Sequence, residues 1–218
     1  MFRKFDKIYR IEREDYPIKG KYHLAKAVEE KLFDGEVEIW EKIDGGNVGI
    51  MKEKGKIYLQ KKTGHIDNSH PQYTYFKDIW YYENKHKLDK LPDGIGVYFE
   101  NMRCVHTVKY DKLPDYLIVI DIYDLTTDKF LSHNECEKIC NKCGLSLAPL
   151  LYKGPIKKDE LIIPELSHYG DYCEGIVVKN TKTQVKGKYV KPDFVKAVCD
   201  SEFWRNKKIE INRLGEQK

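Results

Sequence analysis

The segment from residue 36 to residue 59 constrains the fold most strongly, because short apolar runs alternate there with turn residues. Val37 and Ile39 alternate with glutamates, which is the pattern of a strand with one buried face. Two more apolar runs follow, Val48 to Met51 and Ile57 to Leu59, separated by a Lys-Gly turn. A two-residue period is that of a strand and not of a helix, so the segment predicts three strands joined by tight turns.

Further strands outnumber the helices that the sequence predicts. Runs rich in Val, Ile and Tyr predict strands at 96–100, 116–122, 175–179 and around 185–190. One helix is expected from His23 to Leu32, and a second one begins at the Ser132/Glu135 capping box and ends at Gly144. Because the helices do not alternate regularly with the strands, we expect an α+β, mainly antiparallel design rather than a Rossmann-type sheet.

Length and composition predict one soluble domain spanning residues 1–218. The chain is 41% hydrophobic and 34% charged with a net charge of +4, which excludes disordered, collagen-like and coiled-coil classes. Its longest apolar run, Leu117 to Ile120, is far shorter than the roughly 20 residues that cross a bilayer, so we expect no membrane partner. Six cysteines without a disulfide framework predict a cytoplasmic protein. The small net charge means that a nucleic-acid partner needs a local basic surface.

The segment Glu41-Lys42-Ile43-Asp44-Gly45-Gly46-Asn47 is the best candidate for chemistry. A lysine ends an apolar strand and is followed by a carboxylate and two glycines, where backbone can approach a phosphate closely. A plain hairpin with a solvated lysine fits this segment equally well. The segment lacks the order of a P-loop, which excludes that mechanism here.

In its first motif the segment resembles the covalent nucleotidyltransferases, a superfamily of DNA ligases, RNA ligases and mRNA capping enzymes that share Lys-x-Asp-Gly. The form Lys-x-Asp-Gly-x-Asn is similar to the RNA ligases that seal nicks in duplex RNA. Four further motifs follow in the family's order. They are Lys61-Lys62-Thr63-Gly64, with Lys62 where arginine is usual; Val97 to Glu100, followed by the strand Tyr116 to Asp121; Cys173-Glu174-Gly175-Ile176-Val177-Val178-Lys179; and Lys186-Gly187-Lys188.

This resemblance implies a nucleotidyltransferase (adenylyltransferase) fold in which two mainly antiparallel sheets flank a nucleotide pocket. It also implies an ATP-dependent RNA ligase. Such an enzyme forms lysyl-AMP, transfers AMP to the 5′-phosphate of an RNA end or nicked duplex and joins that end to a 3′-hydroxyl. The implied cofactors are ATP and Mg²⁺, with Mn²⁺ as an alternative.

The implied site residues fall into three sets. The catalytic set is Lys42, Asp44, Glu174, Lys186 and Lys188. The nucleotide-binding set is Glu41, Lys42, Asn47, Lys62, Glu100, Leu117, Glu174, Lys186 and Lys188. Glu174 is the metal ligand. Within these sets Glu100 is expected to accept a ribose hydroxyl, Asp44 to orient the nucleoside or the metal shell, and Asn47 to meet the 5′-phosphate end. Either Leu117 or Tyr116 is expected to pack against adenine.

The chemistry needs an uncharged amine on Lys42. A free lysine has a pKa near 10.4, so only about one in a few thousand is neutral at pH 7. We therefore expect partial burial and the ammonium groups of Lys186 and Lys188 to depress the pKa of Lys42. Basic stretches at 52–62, 186–196 and 205–208 are candidates for tracking an RNA backbone, with a solvated face as the alternative for each.

Other assignments remain open at the level of sequence. Only 30 residues follow Lys188, too few for an appended OB-fold domain, yet a trimmed DNA ligase stays possible. A degenerate, non-catalytic RNA-binding module is a second alternative. The triad Cys136, Cys140 and Cys143 has the spacing of an iron–sulfur loop, but one buried helix face is the better interpretation.

Overall fold

The computed structural model describes residues 2–12, 23–200 and 209–216, without the side chains of residues 199 and 200. Its strands are β1 (Tyr9–Arg10), β2 (Glu36–Lys42), β3 (Gly46–Glu53), β4 (Lys56–Lys61), β5 (Gly64–His65), β6 (Ile95–Asn101), β7 (Leu117–Asp124), β8 (Lys129–Phe130), β9 (Ser146–Leu147), β10 (Leu150–Pro155), β11 (Gly175–Lys179) and β12 (Lys186–Val190). Its α-helices are α1 (Lys26–Leu32), α2 (Pro71–Tyr75), α3 (Tyr81–Glu83), α4 (Lys85–Leu88), α5 (His133–Cys143) and α6 (Pro192–Asp200). A π-helical turn, Phe76–Trp80, joins α2 to α3, and a 3₁₀ turn covers Lys158–Glu160.

The described strands form two sheets. One has the order β1-β12-β11-β2-β10, and the other has the order β5-β4-β3-β6-β7-β8 with β9 beside β7. The pairs β1–β12 and β7–β9 are parallel, and the other pairs are antiparallel. The predicted α+β fold with two mainly antiparallel sheets is confirmed.

Packing on both sheets follows from the alternation along their strands. On the seven-stranded sheet, Val48 and Phe99 point to one face and pack with Phe76 and Trp80 of the helical segment that follows α2. On the five-stranded sheet, Ile39 and other apolar residues of β2 and β11 form a separate core. The opposite face of each sheet contributes residues to a cavity that lies between the two sheets, with Trp40 and Val177 from one sheet and Asn47 and Ile120 from the other.

Helix α5 begins and ends as its sequence predicts. Glu135 Oε2 accepts a hydrogen bond from the backbone N of Ser132 at 2.8 Å, and Gly144 has the left-handed φ of 72° that a helix C-terminus favours. Three of its residues, Cys136, Cys140 and Cys143, are buried as free thiols, so the helix-face interpretation holds for them. Burial raises the pKa of all three thiols, which disfavours a thiolate metal ligand.

Residues 65–95 had no assignment from sequence, and the structure places α2, the π-helical turn, α3 and α4 there. None of the helices in the described ranges is long and apolar enough to cross a membrane.

Candidate active site

Lys42 lies at the end of β2, where it borders a cavity of about 710 Å³ lined by residues of both sheets. Its Nζ lies 2.6 Å from Glu174 Oε2. The register explains this contact, because Lys42 pairs with Gly175 of β11 and Glu174 immediately precedes that glycine. The two motif residues, 132 positions apart, are thus brought together by strand pairing.

The electrostatics of Lys42 differ from the sequence-based expectation. Burial lowers the pKa of Lys42, but the nearby carboxylates of Glu174, Glu100 and Asp44 outweigh burial and raise the pKa above its ordinary value. The prediction of a depressed pKa for Lys42 is therefore wrong. Lys42 is an ammonium group in an ion pair with Glu174.

Two carboxylates beside Lys42 carry the reciprocal perturbation. Burial raises the pKa of Glu174 to about 7, although the Lys42 ammonium opposes that rise. Burial likewise raises the pKa of Glu100 to about 7, with Lys42 opposing it and Glu174 adding to it. Buried carboxyl groups with raised pKa values that cluster at a cavity are typical of a functional site.

Lys186 and Lys188 share one face of β12 but have different surroundings. Lys188 lines the cavity, and burial together with the Lys42 charge lowers its pKa to about 8. Lys186 is turned to Asp121, with Nζ 2.6 Å from Oδ2 and above the Phe130 ring. Asp121 also binds Lys179 at 3.3 Å. Lys186 itself does not line the cavity, although Asp121 and Lys179 of this three-residue ionic cluster do, so its assignment to the nucleotide stays a prediction.

Asp44 is held by backbone groups of a loop that follows β6. Its Oδ2 accepts hydrogen bonds from the backbone N of Thr107 at 2.7 Å and of Val108 at 2.9 Å. Its own backbone N donates to the Tyr110 hydroxyl at 2.9 Å. Asp44 thus connects the Lys42 loop to the 107–110 loop by hydrogen bonds. Its negative charge raises the pKa of Lys42, although Asp44 is not among the cavity-lining residues.

Glycine is required directly after Asp44. A Cβ on Gly45 would lie 2.6 Å from the carbonyl oxygen of Asn101, closer than real Cβ contacts. The backbone N of Gly45 donates to Glu100 Oε1 at 3.1 Å, which orients that carboxylate. The Asp-Gly pair of the first motif is therefore needed for close packing of β6 against the lysine loop.

Asn47, Glu100 and Lys62 all line the cavity, where the sequence places them. Asn47 is paired with Glu100 across β3 and β6, so their side chains share one face of the sheet. The Asn47 Nδ2 group is buried without a hydrogen-bond partner among the described residues. Lys62 is exposed at the cavity.

Glu41 also borders the cavity, but its carboxylate has a different environment from the predicted one. Strand alternation directs its side chain to the face opposite Lys42. There the carboxylate accepts hydrogen bonds from the Ser167 hydroxyl and from the backbone N of His168, and its Oε2 lies 2.7 Å from His168 Nδ1. These hydrogen bonds hold the end of β2 from the face opposite Lys42, and the assignment of Glu41 to nucleotide binding stays a prediction.

The apolar lining of the cavity does not include Leu117, which the sequence predicted to pack against adenine. Leu117 is fully buried in the main core and does not line the cavity. Tyr116 is likewise absent from the lining, with its ring packed against Tyr75 instead. The cavity's apolar walls come from Trp40, Ile43, Ile120, Ala148 and Val177, together with Phe5 and Ile8 of the N-terminal segment. The register between β6 and β7 shifts at a β-bulge, because Tyr98 pairs with Asp121 and the next residue, Phe99, pairs with Val119. Sequence alone cannot predict such a shift.

Sequence reasoning also missed several cavity residues. Gln72, Tyr73 and His106 line one end, and Lys7 and Arg10 of the N-terminal segment line another. Strand β1 pairs in parallel with β12, which sets Arg10 beside Lys188. No local pattern identifies these residues, because each reaches the cavity only through long-range packing.

The basic stretches are divided in their roles. Within 52–62, Lys52 is buried and donates to the carbonyl oxygens of Leu88, Asp89 and Leu91, while Lys62 borders the cavity. Within 186–196, Lys191 donates to the carbonyl oxygen of Glu165 at 2.9 Å. The stretch 205–208 lies outside the described residues.

Comparison with known proteins adds a family and a fold. A family model described as RNA ligase matches residues 35–198. The structure is similar to that of the Naegleria gruberi RNA ligase with PPi, with a TM-score of 0.66 and 14% identity, covering 92% of this chain and 59% of that one. It is also similar to a mutant apo form of that ligase, with a TM-score of 0.63 and 15% identity over 80% of this chain and 54% of that one.

The chain spans between half and three-fifths of the length of the solved proteins that it matches. No curated protein gives a significant match to the sequence.

Proposed function

We propose that this chain, which belongs to the RNA ligase family, acts as an ATP-dependent RNA ligase through a covalent lysyl-AMP intermediate. The observation that carries the proposal is the contact between Lys42 Nζ and Glu174 Oε2, 2.6 Å long, at a cavity that Lys188, Asn47 and Glu100 also line. Desolvation of the amine and the nearby cationic group of Lys188 favour lysine as a nucleophile, and the adjacent Glu174 carboxylate can accept the proton that the amine must lose.

In the first step Lys42 Nζ attacks the α-phosphorus of ATP. A P–N bond forms, the P–O bond to the β-phosphate breaks, and pyrophosphate leaves. The amine must lose a proton, and Glu174 Oε2 is in hydrogen-bond contact to receive it. The pKa of Glu174, raised to about 7 by burial, suits a proton acceptor at neutral pH.

Nucleotide binding in this proposal uses two parts of the cavity. Ile120 of β7 and Val177 of β11 offer apolar surface to the base from opposite sheets. Glu100 accepts a ribose hydroxyl, since its Oε1 is already oriented by Gly45 N. Lys188 and Lys62 supply positive charge for the phosphates, and most of the rate enhancement comes from this positioning and neutralisation.

The donor set also fits a divalent cation. Buried carboxylate oxygens suit Mg²⁺ or Mn²⁺, and Mg²⁺ usually takes one or two carboxylates together with substrate phosphates and water. Glu174 is the residue that would hold the ion, because Lys42 engages Oε2 and leaves Oε1 without a hydrogen bond among the described residues. When bound, the ion neutralises charge on the departing pyrophosphate. The solved forms of the Naegleria gruberi ligase include mutants with ATP and Mn.

The later steps transfer AMP from Lys42 to an RNA 5′-phosphate and then join that end to a 3′-hydroxyl with release of AMP. Asn47 is positioned for the 5′-phosphate, since its unpartnered Nδ2 borders the same cavity as Lys42. The family match and the cationic lining support RNA as the substrate.

Five described cysteines are buried free thiols, which supports a reducing, cytoplasmic location.

Incubation with α-labelled ATP and Mg²⁺ tests the first step. The wild-type protein should acquire a covalent label that survives alkali and is released by acid, as a P–N bond requires. Lys42→Ala should lack this label, whereas Lys109→Ala, at an exposed lysine that does not line the cavity, should keep it. Absence of label in the wild type with both Mg²⁺ and Mn²⁺ would contradict the proposal and favour a non-catalytic RNA-binding module. Sealing of nicked duplexes with RNA or DNA at the 3′-hydroxyl side then tests the substrate, because sealing of all-DNA nicks alone contradicts RNA.

A further inference from the structure

Gln72 of α2 is a buried polar residue that no part of the proposed first step uses. It is fully buried and lines the cavity, yet its Nε2 has no hydrogen-bond partner among the described residues. A buried amide donor without an acceptor is unfavourable, because the group has lost its hydrogen bond to water and gained none in exchange. Such a group in an open cavity points to a ligand that supplies the acceptor.

The position of the Gln72 side chain is closely defined. Its amide lies against Gly46, where a Cβ would be 2.9 Å from both Nε2 and Oε1. The backbone carbonyl oxygen of Gln72 accepts a hydrogen bond from Asn101 Nδ2 at 2.9 Å, and this bond joins α2 to the end of β6. Gly46 is thus small because the amide of Gln72 occupies the space that a side chain would take.

His106 orients the Gln72 amide. His106 Nε2 lies 3.1 Å from Gln72 Oε1, and since an amide oxygen only accepts, the imidazole N–H donates. This contact engages the oxygen and leaves the Nε2 donors for a ligand. His106 and Gln72 both line the cavity, as does Asn47, whose Nδ2 is the second buried amide donor there without a partner among the described residues.

We propose that Gln72 Nε2 acts with Asn47 Nδ2 to bind the 5′-phosphate of the incoming RNA end, and that His106 is a positioning residue for Gln72. This inference rests on the proposed ligase function. Two neutral amides offer donors for phosphate oxygens without competing with the carboxylates around Lys42. Asn47 follows the Lys42 loop at the start of β3, and Gln72 of α2 packs against the neighbouring Gly46, so both amides lie where an RNA end must lie to reach the phosphorus carried by Lys42. Exposed Lys62 adds positive charge at the same cavity.

The test uses Gln72→Glu, which preserves size and the acceptor for His106 but removes the donors and adds negative charge. Gln72→Met is the second variant, in case a buried glutamate prevents folding. Gln184→Glu is the matched control, because Gln184 also makes amide hydrogen bonds, to the backbone of Phe130, but does not line the cavity. Thermal unfolding establishes that each variant is folded.

Two rates are measured on the purified full chain: formation of lysyl-AMP from ATP, and transfer of AMP from the isolated adenylylated protein to 5′-phosphorylated RNA. Loss of a hydrogen bond to a charged group predicts that Gln72→Glu and Gln72→Met transfer AMP about 10- to 100-fold more slowly. Lysyl-AMP formation should change by less than about threefold, and the Gln184→Glu control should match the wild type in both. His106→Ala should also slow transfer, and His106→Gln, which restores an N–H donor, should recover much of it.

Unchanged transfer in both Gln72 variants would overturn the inference, and so would an equal loss of lysyl-AMP formation, since Gln72 would then act on ATP. Binding supplies an arm that does not need catalysis. The wild type should bind 5′-phosphorylated RNA more tightly than 5′-hydroxyl RNA, and Gln72→Glu should lose that preference. Failure of the wild type to form lysyl-AMP would refute the ligase function alone, while a phosphate preference unaffected by Gln72→Glu would refute the phosphate site alone.

Discussion

Glu41 and Lys42 are adjacent in β2, and their side chains leave the sheet on opposite faces. Lys42 meets Glu174 at the cavity, whereas the Glu41 carboxylate is buried on the other side against Ser167 and His168. Lys42, the proposed nucleophile, is therefore preceded in the strand by a carboxylate that is hydrogen-bonded on the opposite face. This arrangement fixes the end of β2, and with it the base of Lys42.

Ser167→Ala tests that support. The variant removes the hydroxyl donor to the buried Glu41 carboxylate, and hydrogen bonds to charged groups predict a loss of about 1.5–3 kcal/mol in the free energy of unfolding. Urea unfolding measures the loss. Ser69→Ala is the control, since its hydroxyl donates to an exposed carboxylate, and its effect should be much smaller. Equal stability of the Ser167→Ala variant and the wild type would contradict a supporting role for Glu41.

Ile120→Ala and Leu117→Ala separate the base site from the core. Ile120 lines the cavity, so its truncation should raise the KM for ATP in lysyl-AMP formation about tenfold through lost apolar contact. Leu117 is fully buried, so its truncation should lower the free energy of unfolding by about 2–5 kcal/mol and leave the KM of the folded protein near that of wild type. A KM effect confined to Leu117→Ala would restore the sequence-based assignment.

Asp121→Asn tests the ionic cluster that Asp121 forms with Lys179 and Lys186. Asp121 binds the ammonium groups of Lys179 and Lys186 in a buried position, so the variant leaves two buried charges uncompensated. The expected loss is about 3–5 kcal/mol in the free energy of unfolding. The control is Asp34→Asn, which breaks an exposed pair with Lys182 and should change stability by less than about 1 kcal/mol. A loss in the free energy of unfolding as small for Asp121→Asn as for Asp34→Asn would refute a structural role for the cluster.

The rate of lysyl-AMP formation should rise with pH between 6 and 8. Burial raises the pKa of Glu174 to about 7, so below that pH the carboxyl is protonated and cannot take the proton of Lys42. An ionised fraction that grows from about one-tenth to about nine-tenths predicts a roughly tenfold increase in the single-turnover rate at limiting ATP, where the profile reports the pKa of Glu174 in the free protein before a cation binds. Glu210→Gln, in an exposed pair with Lys109, should leave this profile unchanged. A profile that is flat or falls over this range would exclude Glu174 as the proton acceptor.

Local patterns predicted much of the fold. The strand–turn–strand series after residue 36, the capped helix that ends at Gly144 and the strand of the Glu174 motif lie close to their predicted positions. These features depend on side-chain period and on turn residues, which are written in contiguous sequence. The helical segment at Pro71–Leu88 was missed because its core contacts, such as Trp80 with Phe99, are long-range.

The sequence by itself determined the residue types of the proposed site and their order along the chain: a lysine at a strand end, two glycines shortly after it, and a glutamate directly before a later strand. Only the tertiary structure decided which of them meet. Strand register joins Lys42 to Glu174, an ion pair joins Lys186 to Asp121, and the packing of α2 brings Gln72 to the cavity. The reason is that a motif specifies composition over a few residues, whereas distance and charge at the site depend on pairing between segments far apart in the chain.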